Sequence, residues 1–478
     1  MTEPSDGSHQ GAPVLEPVSI LIEHATVVPV DEGRTIITDG AVAVRGNHIV
    51  AVGKTPDLQS RFTASHRIDG TDKLVLPGLI DGHKHLCEVA RGLIPDTLIT
   101  RDWLKDWCYP YLGRLTPEQE YEHALLLMAE MIRSGTTTAV DPGVLHLDST
   151  IDAMERGGMR IVTGRWTWDH LGPDAEKCFP TFLKTDTDEA LRRTEDALQR
   201  YQGRADGRIR IFATLEGVGT CSDELMIQAQ SLADRYNTFT LMHKATSREE
   251  VSIEMSRFGH RPVEHMNVIG CLRSNTYLNH MTAVDNDEVQ MLAEHDTKVC
   301  ENPSAALKLA KGITQMGKHV EMVRAGVTVC LGCDGTNSSD FADMVRAMHL
   351  AATLPRDAHI DPTVITKEHV IEMATIDGAK CVGWQDEIGS LEPGKRADIT
   401  IFDMHRPEWI PTFDPLASLI YSATGDSAHT VIVDGHIVMA NRELCTIDLE
   451  RQMAIVQDMR KQILDQTGLQ VQRNWTVI

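Results

Sequence analysis

The 478-residue chain is short of aromatic side chains, basic charge and long apolar runs. With 46 basic against 69 acidic residues the net charge is -23. Such a surface repels phosphate backbones and anionic headgroups, so neither nucleic acid nor a membrane is expected as a partner. No stretch approaches the length that spans a bilayer. The opening MTEPSDGSHQGAPVLEP has neither the basic start nor the apolar core of a leader, and a cytoplasmic location is the expectation. The ten cysteines sit mostly within apolar runs, away from the tight spacings of a disulfide scaffold, which fits a reducing compartment. Cys330 and Cys333 form a CxxC with no second pair, and are read as two side chains of a buried strand end.

What is present is organised in three parts. Residues 1–16 are expected to be disordered. SILIEHATVVPV and AVAVRGNHIVAVG alternate and turn like antiparallel strands, and RADITIFD and AHTVIVDGHIVM do the same near the other end. A small β-sandwich built from both chain ends, residues 17–75 and 386–446, is the reading. Between them, over 76–385, eight short apolar runs are separated by helical patterns: LVLPGLIDGHKH, TTTAVDPG, RIVTGRWTW, RIRIFATLEG, FTLMHKA, TYLNHM, KVCENP and VTVCLGCDG. That alternation predicts an α/β fold, a (β/α)8 TIM barrel. Residues 117–133 show apolar positions at helical spacing. Residues 447–478 read as an amphipathic helix and tail that packs on the barrel or on another subunit, and a homo-oligomer is expected.

Chemistry in a barrel collects at the C-terminal ends of its strands. His83 and His85 close the first apolar run, and strand alternation turns both to one face and Lys84 to the other. His243 closes FTLMH, His280 closes TYLNH and Asp334 closes VTVCLGCD. Nitrogen and oxygen donors from four strands at one rim predict a site for a divalent transition metal, the basis for activating water.

PGLIDGHKHL, SGTTTAVD, LMHKA, LNHMTAVDNDEVQMLAEH, LGCDG and GSLEPGKRADITIFD together resemble the amidohydrolase superfamily over nearly the whole chain. Their order is similar to the branch that holds S-adenosylhomocysteine and guanine deaminases, triazine chlorohydrolases, and molinate and phenylurea hydrolases. The resemblance implies one divalent metal ion per subunit, zinc first, with iron, cobalt or manganese as alternatives. It implies His83, His85, His243 and Asp334 as ligands, Asp334 also as proton carrier, and His280 as a catalytic partner outside the metal's own ligand set.

Three departures from that branch shape the functional expectation. The deaminases carry a glutamate three residues after the fifth-strand histidine, where this chain has Thr246. Threonine cannot protonate a ring nitrogen, and Glu249 and Glu250 beyond it are read as the solvated start of a helix. Ala306 replaces an asparagine, and Lys84 stands between the two ligands, expected to snorkel or to pair with a carboxylate. Trp103, Trp107, Tyr109 and Tyr111 follow the first strand, and Trp166 and Trp168 the third, suggesting an aromatic wall. Arg165 and Asn337 are further candidates for substrate contact. The expectation is therefore a small, hydrophobic substrate attacked at a urea, amide or (thio)carbamate carbonyl, as in phenylurea hydrolysis. The alternatives are an aminohydrolase or chlorohydrolase of a nitrogen heterocycle, and an inactive scaffold of the same fold.

Overall fold

Leu74, Val75 and Leu76 form a fully buried apolar run that must be covered on both faces, and it is shared between two bodies. In the computed structural model, which describes residues 15–170, 185–217, 219–473 and 475, the run divides at Gly78. Lys73–Pro77 pairs antiparallel with Ile399–Asp403 from the other end of the chain. Leu79–Asp81 pairs in parallel with Thr136–Val140 as the first barrel strand. The sequence reading took LVLPGLIDGHKH as one strand. The break falls at a glycine because a Cβ on Gly78 would stand 2.1 Å from Thr137 Oγ1.

Glu16–Val27, Ile37–Arg45, His48–Lys54, Phe62–Asp69 and Lys73–Pro77 join Ile399–Asp403, Ala428–Val433, His436–Ala440 and Glu443–Leu444 in one nine-stranded sheet drawn from both chain ends. The sheet is apolar on both faces, with Ile20, Ile22 and Val42 in one cluster and Leu21, Ala41 and Phe62 in another. The expectation of disorder over 1–16 falls almost wholly outside the described residues. Glu16 itself opens the first strand.

The barrel strands are Leu79–Asp81, Thr136–Val140, Arg160–Thr163, Ile209–Ile211 with Ala213–Gly217, Thr240–Lys244, Thr276–His280, Lys298–Glu301 and Val329–Leu331. All neighbouring pairs are parallel. The fourth run bends at Phe212, so Ile209–Ile211 pairs with the third strand and Ala213–Gly217 with the fifth. The ring closes where Gly82 N–H donates to Leu331 O at 2.8 Å. Each strand run contributes one side chain to an inner layer: Ile80, Val140, Val162, Phe212, Leu241, Tyr277, Cys300 and Cys330, sealed from below by Trp384. Cys330 and Cys333 are both buried free thiols at a strand end. No helix among the described residues is long and apolar enough to cross a membrane.

Helix Pro117–Arg133 starts at a capping box of Thr116 and Gln119. The C-terminal helix, Leu449–Thr467, lies against it, with Gln452 Nε2 donating to Glu122 O at 2.9 Å. Arg160 joins barrel to sheet. It is 1% exposed and donates in a fork to Asp398 (2.9 and 3.1 Å) and to Asp434 Oδ1 at 3.3 Å.

Two stability predictions follow from buried charge. Asp398→Ala leaves the Arg160 guanidinium short of its fork partner and is expected to cost about 3–5 kcal/mol, read as a lower denaturant midpoint; an unchanged midpoint would show that the joint does not depend on this pair. Burial pushes the Glu120 carboxyl up to about 7. From its unfolded value near 4.5 up to about 7 the folded state holds a proton that the unfolded chain has lost, so stability falls as pH rises through that window. Glu120→Gln keeps an acceptor for His146 N–H and Thr150 O–H and is expected to be more stable than the wild type at pH 8 by roughly 3 kcal/mol, and no more stable at pH 4.

Candidate active site

His83 and His85 lie just beyond the first barrel strand, on backbone held in place because Lys84 N–H donates to Val140 O (2.8 Å) and Asp334 N–H to His83 O (2.7 Å). Their ring centroids are 4.9 Å apart. His243, at the end of the fifth strand, lies 5.0 Å from His83 and 5.4 Å from His85. Asp334 Oδ1 stands 3.5 Å from His83 Nε2 and 3.6 Å from His85 Nε2. Donor atoms of His83, His85 and His243, and of His83, His280 and Asp334, fall within 4.8 Å of one another.

The tautomers follow from the outer hydrogen bonds. His243 Nδ1 donates to Glu216 O at 2.9 Å, and His85 Nδ1 lies 3.3 Å from Glu88 Oε1. Both Nε2 lone pairs then face each other at 3.4 Å, an arrangement that repels unless a cation lies between them. Both nitrogens of His83 are buried without a hydrogen-bond partner. Burial takes His83 down to about 4 and holds His85 and His280 well below the usual histidine range, so these three rings are neutral near pH 7. Burial opposes ionisation of Asp334, but His83, His280 and Lys311 outweigh it and hold the carboxyl well below its ordinary range. Neutral imidazoles with one carboxylate are a donor set for zinc and similar divalent ions.

His280 is placed by irregular backbone. Alternation along Thr276–His280 would put Tyr277 and Asn279 on the inner face, yet φ of 77° at His280 and 50° at Met281 brings the His280 ring 5.2 Å from that of His83. Asn302 Nδ2 lies 3.3 Å from His280 Nδ1. With the amide donating there, the ring proton sits on Nε2. Asp334 also has positive φ, 65°, a left-handed conformation that aspartate adopts more readily than most residues. Gly217, φ 78°, is required for close approach, since a Cβ there would stand 2.0 Å from His243 O.

The cavity beside the cluster is lined by Trp103, Trp166, Thr100, Leu104 and Cys108, and by Glu88, Glu216, Thr246 and Lys311. Trp107, Trp168, Arg165 and Asn337 lie outside that lining. Trp107 is buried among the loop side chains, Trp168 stacks edge-on against Trp166 at 5.2 Å, Arg165 donates to Leu145 O at 2.8 Å, and Asn337 reaches Cys108 Sγ. Lys84 does turn away from the histidines, but it neither snorkels nor pairs with a carboxylate as expected. It is fully buried and donates to the carbonyls of Asp334 (2.6 Å) and Phe341 (2.9 Å). Glu249 is exposed at a helix start. Glu250 corrects the sequence reading, for it is 2% exposed and accepts from Thr246 N (2.7 Å) and Oγ1 (2.8 Å).

Sequence reasoning also missed Glu88, Glu216 and Lys311. Glu88 follows His85 by three residues, a spacing that could have been noticed. Glu216 holds Tyr109 Oη (2.9 Å) and Trp166 Nε1, and burial raises its pKa. Nothing in the local sequence marks Lys311.

Residues 74–438 match the model of the amidohydrolase family, and the chain belongs to that family. It is a metal-dependent hydrolase of carbon–nitrogen bonds other than peptide bonds. The chain is 32% identical over 450 residues to 5-methylthioadenosine/S-adenosylhomocysteine deaminase 1 of Syntrophus aciditrophicus, covering 94% of this chain and 98% of that protein. It is also 32% identical to the corresponding deaminase of Syntrophobacter fumaroxidans, over 93% and 98%. Its fold is similar to a zinc-bound adenosine deaminase from Xanthomonas campestris (TM-score 0.88, 28% identity, 95% of this chain and 100% of that one). It is also similar to zinc-bound atrazine chlorohydrolase from Arthrobacter aurescens TC1 (0.83, 26%, 92% and 99%).

These relatives overturn the expectation of a phenylurea, amide or thiocarbamate hydrolase. That expectation rested on Thr246, which disfavoured ring deamination, together with Ala306 and the aromatic wall, without sight of the buried Glu250 bonded to Thr246 or of Lys311 in the same cavity.

Chelator-treated chain given zinc at about 100 times its Kd is expected to gain about 2.7 kcal/mol of unfolding free energy, seen as a rise in Tm. His83→Asn should lose most of that rise. A wild-type Tm indifferent to zinc would exclude an ion at this cluster.

Proposed function

We propose that the chain is an aminohydrolase of a small nitrogen heterocycle, of the adenine nucleoside class, replacing a ring amine by oxygen and releasing ammonia. The convergence of His83, His85 and His243, with Asp334 3.5 and 3.6 Å from the first two, carries this reading, and the deaminase relatives at 32% identity support it.

His83, His85, His243 and Asp334 would hold the divalent ion, with zinc the leading choice by analogy with the zinc-bound adenosine deaminase. Such an ion supplies the polarisation that makes water nucleophilic near neutral pH. Asp334, kept ionised, takes a proton from the attacking water and delivers it to the departing amine. His280 presents Nε2–H to the attacking oxygen and orients it towards the ring carbon. Trp103 and Trp166 supply apolar faces for the ring. Glu216 anchors Trp166 by its carboxylate and His243 by its backbone carbonyl. The balance is one water in and one ammonia out: one hydrogen of water leaves on ammonia, and the other ends on the ring nitrogen of the product lactam.

The test is ammonia release by zinc-loaded chain from adenosine, 5′-methylthioadenosine and S-adenosylhomocysteine, beside chloride release from a chlorotriazine. Ammonia from an adenine nucleoside is expected, with Asp334→Asn lowering kcat by roughly 10²–10⁴. Chloride release without ammonia from any heterocycle would sink the proposal.

A further inference from the structure

Addition of water to a ring carbon loads negative charge onto the neighbouring ring nitrogen, and a deaminase must place a donor there. Thr246 cannot be that donor here. Its hydroxyl proton is committed to Glu250 Oε2, so it offers the cavity only lone pairs. The second oxygen of Glu250 is shut away from solvent without a partner. Of the cavity's acids, Glu216 is engaged with Tyr109 and Trp166, and Glu88 lies against His85 by Oε1 while its unpartnered Oε2 sits against Gly335, beside Asp334 and not Thr246.

Lys311 remains. It lines the same cavity as Thr246, His280 and Asp334 and is 6% exposed. Among the described residues its ammonium makes no hydrogen bond or ion pair. Burial works against its charge, which the carboxylates of Asp334 and Glu250 favour without bonding to it; a buried ammonium with no hydrogen bond is costly, and a framework position has no reason to keep one. The loop that presents it is constrained on both sides: Ala310 has φ 48°, Gly312 has φ 83°, and Lys311 N–H is tied to Ala306 O at 2.8 Å. This is the left-handed turn that ends the helix Pro303–Lys308, and its hydrogen bond fixes the point at which Lys311 leaves that helix.

We infer that Lys311 is a substrate-binding residue that donates a charge-assisted hydrogen bond to the ring nitrogen beside the reacting carbon, in the role that Thr246 leaves open. The inference rests on the aminohydrolase reading and specifies how this chain recognises the heterocycle. The substrate it selects presents a ring acceptor towards Lys311, and Thr246 Oγ1 accepts from an N–H next to it.

The experiment compares binding of purine riboside with its 1-deaza analogue, in which that nitrogen is C–H; neither ligand has an amine to lose. Calorimetry on the zinc-loaded wild type is expected to favour purine riboside by about 10- to 100-fold, the range of one charge-assisted hydrogen bond. Lys311→Met should bring the two ligands within about threefold while leaving Tm unchanged or higher. Lys311→Met that keeps the wild-type preference, or a wild type without one, overturns the assignment. A lower Tm with the preference intact marks Lys311 as structural and also overturns it. Failure of the aminohydrolase reading shows separately, as a wild type that releases ammonia from no heterocycle.

Discussion

The seam between the first and eighth barrel strands is the constraint from which the site follows. Asp334 N–H bonds to His83 O at 2.7 Å, and the buried Lys84 ammonium spans the same seam to Asp334 O at 2.6 Å. Residues some 250 positions apart are thereby locked at hydrogen-bond distance, and the carboxylate of Asp334 is delivered against the rings of His83 and His85. The seam tolerates no side chain at Gly332, where a Cβ would stand 2.7 Å from His83 N. The lysine between His83 and His85 is thus a buried residue that faces away from the cluster. It is the tie that positions the carboxylate.

Around that seam the protein accepts local cost. Left-handed backbone at His280, a His83 ring without a hydrogen bond and a buried Lys311 without one each disfavour the fold, and all lie at one end of the barrel. The opposite end is a tight apolar layer, one residue from each strand run over Trp384, which lets the rim stay polar and strained without loss of the barrel. Arg160 and its two aspartates fasten the end sheet below.

The Thr246 substitution shows how one position can mislead when read alone. A threonine in place of an acid looks like lost chemistry in one dimension. In three dimensions it is one end of a buried pair with Glu250, and it shares a cavity wall with an ammonium from a different loop.

The barrel was legible because its eight runs repeat an alternation whose physics is local: apolar strand, turn, amphipathic helix. The two histidines of the first strand, His243, His280 and Asp334 were legible for the same reason, since each ends an apolar run. Sequence alone also determined the acidic surface and the sheet-forming ends. Tertiary structure decided what depends on distant partners: the division at Gly78, set by Thr137; the burial of Glu250, which a helix start did not announce; and the inward aim of Lys311 from a loop with no pattern. It also decided which tryptophans face the cavity, because loop side chains follow no strand periodicity. Local pattern encodes which face of an element is buried. Only closure of the ring encodes what lies across from it.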